Sequence, residues 1–234
     1  MSLFDQIKRS SYVNGQWVSE AKRDVFDVIN PATQEVVAVM AAASIDDASA
    51  AIADAHGALE AWRLWPVKRR SAVLKAWNQL VLANQHVLAE ILSLEQGKSV
   101  AEARGEIAYG AAYIEWFAEE AKRINGQLIP APSDTKRVLV QHQSIGVVAA
   151  ISPWNFPCAM LARKIAPALA AGCTIVCKPS EETPLSALAL VLLADQAGIP
   201  KGVINILVTD KAQAVGEVLC CLLYKSLSPR DRTQ

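Results

Sequence analysis

Neither sign of charge is in excess in this 234-residue chain: 23 Lys and Arg stand against 23 Asp and Glu, and the formal net charge is zero. That balance removes any bulk electrostatic case for nucleic acid or an anionic membrane as a partner. The densest basic run, Lys68-Arg69-Arg70, reads as a solvated helix face. No stretch reaches the roughly 18 uninterrupted apolar residues of a membrane span, and Ala187 to Ala194 reads as a buried helix instead. Met1 to Gln6 lacks the charged-then-apolar layout of a secretory leader. The five cysteines form no framework of spacings, which suits a reducing, cytoplasmic setting. No metal site is expected, because there is no Cys-x-x-Cys pair and His56, His86 and His142 are scattered. Internal repeats and low-complexity segments are also missing. What remains is a globular composition, 52% hydrophobic and 20% charged.

The first half of the chain mixes hairpins and helices. Asn14-Gly15, set between apolar residues of Tyr12 to Val18, is a hairpin-turn signal. Asn30-Pro31-Ala32-Thr33 separates Val25–Ile29 from Val36–Met40 and suggests a second strand pair. Asp46-Asp47 opens a helix that runs to about Trp62. Pro66 stands at the first turn of a longer helix, where Val73, Trp77, Leu80, Val87 and Ile91 recur at helical spacing until Gly97. A third helix carries Val100, Ala103, Ile107, Ala111, Ile114, Ala118 and Ala121 as an apolar stripe, with Glu102, Glu106 and Glu119 off it. The aromatic residues in these patterns are expected in the core. Lys136 to His142 alternates weakly, as an arm strand would.

The second half changes character. Gly146 to Ile151, Thr174 to Cys177 and Val203 to Val208 are continuous apolar runs, separated by segments of helical length at Cys158 to Ala171 and Pro184 to Ala197. Strands of that kind, alternating with helices, imply an α/β fold with a parallel sheet covered on both faces, the first half of a doubly wound nucleotide-binding fold. Yet no Gly-x-Gly-x-x-Gly opens its first helix and no Walker loop is present.

Two segments follow strand ends, where such sheets place ligands. Pro153-Trp154-Asn155-Phe156-Pro157 holds an amide between two prolines, a good donor for an oxygen that gains charge during reaction. A turn Asn satisfying local backbone is the plain alternative. Lys178 and Glu181, in Lys178-Pro179-Ser180-Glu181, could hydrogen-bond vicinal ribose hydroxyls. Alternatively, Ser180 or Thr183 merely caps the helix that begins at Pro184.

Many separate motifs resemble, in order, those of the aldehyde dehydrogenase superfamily, and most closely its succinate-semialdehyde branch. They are Asn30-Pro31-Ala32-Thr33, Glu95-Gln96-Gly97-Lys98, Glu115 to Arg123, Ile145 to Pro157, Ala162-Arg163-Lys164, Ala170 to Thr174, Lys178 to Glu181 and Gly198-Ile199-Pro200-Lys201-Gly202-Val203 with Asn205. The resemblance covers about residues 3 to 219. It implies a first part at 1–135, an oligomerisation arm at 136–144 and half of the dinucleotide-binding sheet at 145–219. It also implies that Asn155 stabilises an oxyanion and that Ile151, Ser152, Pro153 and Trp154 line the cofactor. Lys178, Ser180 and Glu181 would contact the adenosine ribose, and Arg163 the distal carboxylate of the substrate; its plain alternative is a surface arginine. The implied cofactor is NAD, with NADP possible, and the carboxylate of Glu181 favours NAD by repelling a 2′-phosphate. Succinate semialdehyde is the first substrate expected and glutarate semialdehyde the second, while a homotetramer or homodimer is implied for full-length relatives.

In that family a cysteine thiolate attacks the aldehyde, hydride passes to the nicotinamide, and glutamate-activated water hydrolyses the thioester. None of Cys158, Cys173, Cys177, Cys220 and Cys221 stands in the nucleophile's context, and each reads as a buried or incidental thiol. Thr209-Asp210 departs from the Thr-Gly common in the family. From about Cys220 the resemblance fails, and residues 220–234 resemble translated adapter sequence from DNA library preparation. The expectation is therefore an inactive N-terminal piece with a non-native tail; a rival from another class is a non-catalytic nucleotide-binding protein.

Overall fold

The computed structural model describes residues 3–223. In chain order the elements are α1 (Leu3–Gln6), β1 (Tyr12–Val13), β2 (Gln16–Trp17), β3 (Val25–Ile29), β4 (Val36–Ala41), α2 (Ile45–Arg63), α3 (Val67–Ala83), α4 (Gln85–Gln96) and α5 (Val100–Glu120). A 3₁₀ turn (Ala121–Arg123) follows, then β5 (Gln127–Ile129), β6 (Val138–Val140), β7 (Val147–Ile151), α6 (Pro157–Ala170), β8 (Thr174–Lys178), α7 (Pro184–Gln196), β9 (Ile204–Ile206) and α8 (Ala212–Leu223). Residues 224–234, most of the expected tail, lie outside the described residues.

The central sheet has the order β2-β1-β9-β8-β7. Strands β7, β8 and β9 are parallel, with Val148 opposite Ile175 and Val176 opposite Asn205. Side chains of β8 alternate between two cores, as a pleat requires. Ile175 and Cys177 join the large core under α6 and α7, while Val176 packs with Ala48, Ala51 and Ala55 of α2 and Val215 and Leu219 of α8. α7 is apolar on every face because β9, α3, α4 and α6 surround it.

The Asn14-Gly15 hairpin forms as expected, with both residues at positive φ (50° and 71°). It also extends the main sheet, since Tyr12 pairs antiparallel with Ile206 and the Asn14 N–H donates to Asn205 Oδ1 at 2.9 Å. Separate antiparallel ribbons are made by β3–β4 and β5–β6.

Three expectations need correction. The long helix after Pro66 is two helices, broken at Asn84, whose side chain donates to the Leu80 carbonyl at 2.8 Å and closes α3. Arg70 is not on a solvated face: it is buried and donates to the carbonyl oxygens of Trp65 and Arg63. Glu106, read from sequence only as lying off the apolar stripe of its helix, is buried as well. Among the aromatics of the first-half helices, Trp62 and Trp77 fill the core, but Trp116 is exposed.

Candidate functional site

Strands β7 and β8 end side by side, and the Ser152 N–H donates to the Lys178 carbonyl at 3.1 Å. From these neighbouring ends the two motif segments leave the sheet on the edge where parallel α/β sheets bind ligands.

After β7, Pro153 to Phe156 turn the chain into α6. The Asn155 side-chain oxygen accepts the Phe156 N–H at 3.1 Å, so its Nδ2 group is the end free to donate to a ligand. Pro157 opens α6 with no side-chain cap from Phe156. Its unpaired N–H groups are met instead by Glu106 of α5, whose Oε1 accepts from Cys158 N at 3.0 Å and Ala159 N at 3.2 Å. The other oxygen of Glu106 pairs with Lys98 at 2.5 Å. Lys98 also donates to the Asn155 carbonyl at 3.0 Å and stands 4.2 Å from the centre of the Phe156 ring.

After β8, the Lys178 ammonium is buried and donates to the Pro179 carbonyl at 3.2 Å and to Glu181 Oε2 at 3.1 Å. Ser180 accepts the Glu182 N–H weakly, at 3.4 Å. Neither Ser180 nor Thr183 caps α7; the cap is Glu95 of α4, whose carboxylate accepts from Leu185 N at 2.7 Å and Ser186 N at 2.8 Å. Burial raises Glu95 to about 7, against the pull of hydrogen bonds from Ser186 and Leu185.

The same device therefore serves both segments: a buried glutamate from a remote helix caps a proline-led helix. The sequence motif Glu95 to Lys98 contained one of these residues without disclosing its task. The capping task of Glu106 was missed because the N–H groups it serves, on Cys158 and Ala159, lie more than 50 positions away. The available clue was a helix opening on Phe156-Pro157, which leaves N–H groups without a local acceptor.

Arg163 lies exposed on α6, with its guanidinium 5.4 Å from the centre of the Tyr113 ring. The Tyr109 and Tyr113 hydroxyls are 2.6 Å apart, and with Trp116 and Phe117 they line a cavity of about 330 Å³. Arg163 stands in the middle of α6, whereas Asn155 lies in the turn before that helix begins. Cys158, Cys173 and Cys177 are buried, and burial pushes the Cys158 and Cys177 thiols far up. Among the described residues no cluster of three His, Cys, Asp or Glu side chains could hold a metal, and no helix is long and apolar enough to cross a membrane.

The profile of the aldehyde dehydrogenase family matches residues 17–221. The chain is 49% identical over 227 residues to a glutarate-semialdehyde dehydrogenase of Pseudomonas putida, covering 97% of this chain and 47% of that protein. It is also 49% identical over 212 residues to the NADP(+) succinate-semialdehyde dehydrogenase of Escherichia coli, covering 91% and 44%. The crystal structure of a succinate-semialdehyde dehydrogenase from Burkholderia pseudomallei superposes with a TM-score of 0.88 at 48% identity, again over 91% and 44% of the two chains. The chain thus spans a little under half the length of these relatives. By the matched profile, the ordered motifs and the shared fold, it belongs to the aldehyde dehydrogenase family.

Proposed function

We propose that this chain carries the cofactor-gripping and oxyanion-stabilising side of an NAD(P)-dependent semialdehyde dehydrogenase. The observation that carries the reading is the bond between Ser152 and Lys178, which sets the Asn155 turn and the Lys178–Glu181 turn side by side at one sheet edge. The residues fit a dinucleotide. Ser152 Oγ is buried without a partner, and the Lys178–Glu181 pair offers donor and acceptor together, with Glu181 partly open to solvent.

In this reading Lys178 and Glu181 hold the vicinal ribose hydroxyls, while Ser152, Pro153 and Trp154 wall the nicotinamide side, with Ile151 and Ser180 flanking. When bound, the nicotinamide supplies the hydride acceptor. Asn155 Nδ2 donates to the aldehyde oxygen as it gains negative charge, an interaction stronger in the transition state than in the ground state. Arg163, with a planar guanidinium suited to a carboxylate, holds the far end of an ω-carboxy aldehyde. The buried Cys158, Cys173 and Cys177 are poor candidates for the thiolate, so the isolated chain is proposed not to turn over aldehyde.

Succinate semialdehyde is the first substrate proposed. Glutarate semialdehyde is the second, favoured by the name of the Pseudomonas putida relative. The exposed β5–β6 ribbon, with Leu128 and Leu139 open to solvent, supports its proposed role as an oligomerisation arm. The test is titration of the purified chain with NAD and with NADP, alongside a dehydrogenase assay. Saturable binding that Glu181→Gln shifts toward NADP supports the reading, and binding of neither nucleotide overturns it. Turnover by the chain alone refutes the inactivity proposal.

A further inference from the structure

We propose that Lys98 is a positioning residue for Asn155, and that Glu106 holds Lys98 in place to do it. The inference rests on the oxyanion reading of Asn155, but its test does not. Prolines 153 and 157 carry no N–H, so the turn between them has few backbone donors with which to tie itself down. Its inner hydrogen bonds are local: Phe156 N–H to Asn155 Oδ1 at 3.1 Å, and Met160 N–H to the Phe156 carbonyl at 2.8 Å. Among the described residues, the hydrogen bond that ties Asn155 to another element comes from Lys98.

Lys98 is itself fixed at both ends. Gly97 ends α4 at a φ of 87° and redirects the chain. The Lys98 N–H then donates to Gln96 Oε1 at 3.1 Å, and its carbonyl accepts from Ser93 Oγ at 2.7 Å. At the far end the ammonium is shared between the carboxylate of Glu106 and the carbonyl of Asn155, over the face of Phe156. The Glu106 side chain is only 1% exposed and that of Lys98 12%, so the pair is shielded from competing water. Removing either charge leaves the other buried and unpaired, which favours keeping both in one geometry. One carboxylate thereby fixes the first N–H groups of α6 and, through Lys98, the peptide that carries Asn155. The orientation of the Asn155 amide is the quantity this clamp controls.

The test compares ¹⁵N-labelled wild-type chain with Lys98→Met, Lys98→Arg and Glu106→Gln. Two readouts are taken: the Asn155 side-chain amide resonance, assigned by its loss in Asn155→Asp, and amide hydrogen exchange at Phe156 against Ile175 and Val176 of β8. Losing a hydrogen bond from a charged donor, worth about 1.5–3 kcal/mol, corresponds to exchange at Phe156 about tenfold faster or more. With Lys98→Met the Asn155 resonance is expected to move and Phe156 to exchange that much faster, with β8 unchanged; Lys98→Arg restores both. If Lys98→Met does not fold, Glu106→Gln, which keeps the shape, should move the same resonance in the same direction. An unmoved Asn155 resonance, or equal acceleration in β8, overturns the proposal. Failure to bind NAD or NADP with the Lys98 effect intact overturns the cofactor reading instead.

Discussion

The Ser152 N–H and the Lys178 carbonyl are joined at 3.1 Å across the ends of β7 and β8. The Asn155 turn and the Lys178–Glu181 turn therefore start from one shared hydrogen-bonded base. Lys178→Met keeps the buried stem but removes the charge beside Glu181. It is expected to weaken NAD binding about tenfold or more with little change in melting temperature. Unchanged affinity by calorimetric titration would remove Lys178 from the cofactor grip.

Glu95 makes stability depend on pH. The folded chain holds its proton to about pH 7, against an ordinary value of 4.5, so between those values the folded state binds more protons than the unfolded state. Stability should therefore fall as pH rises through that window and level off above it, by an amount on the order of 3 kcal/mol. Urea unfolding at pH 5 and pH 8 measures it. The difference between wild type and Glu95→Gln isolates the group, and an equal pH slope in both proteins would show that Glu95 stays ionised when folded.

Thiol chemistry should divide the cysteines sharply. Cys158, Cys173 and Cys177 are buried, whereas Cys220 and Cys221 are exposed. A water-soluble disulfide reagent is expected to titrate two thiols quickly in the native chain and the other three only on unfolding. Rapid modification of Cys158 would contradict the packing under α6.

Glycine 97 is needed twice over. Its φ of 87° suits glycine, and a Cβ there would lie 2.5 Å from Pro31 Cγ. Gly97→Ala should cost about 1–3 kcal/mol. Gly57→Ala, in the middle of α2 where the added carbon meets nothing within 4 Å beyond its chain neighbours and the helix's own nearby backbone, should instead stabilise by roughly 0.5–1 kcal/mol. Chemical denaturation of the two variants side by side checks both signs.

The parallel strands were legible because burial on both faces leaves a continuous apolar run, as in Thr174 to Cys177. The hairpin at Asn14-Gly15 was legible because only certain residues tolerate its dihedral angles. By contrast, the break at Asn84 was hidden: Trp77, Leu80, Val87 and Ile91 keep helical spacing across it, since α3 and α4 both bury a face against α5 and α7. The burials of Arg70 and Glu106 depend on carbonyl and N–H partners supplied by the folded backbone, which composition does not display. At the candidate site, the family resemblance picked out Asn155, Lys178 and Glu181, but the capping tasks of Glu95 and Glu106 came only from tertiary structure.

The pairing of Tyr12 with Ile206 has a consequence for how the chain is made. Asn14 bonds Asn205, and Ser11 Oγ accepts the Val208 N–H at 2.9 Å, so the hairpin synthesised first waits for the last strand described. On the ribosome the sheet cannot close its β1 side until about residue 208 has emerged. Until then the growing chain must carry the β1–β2 hairpin unpaired, and long-range contacts of this kind slow folding.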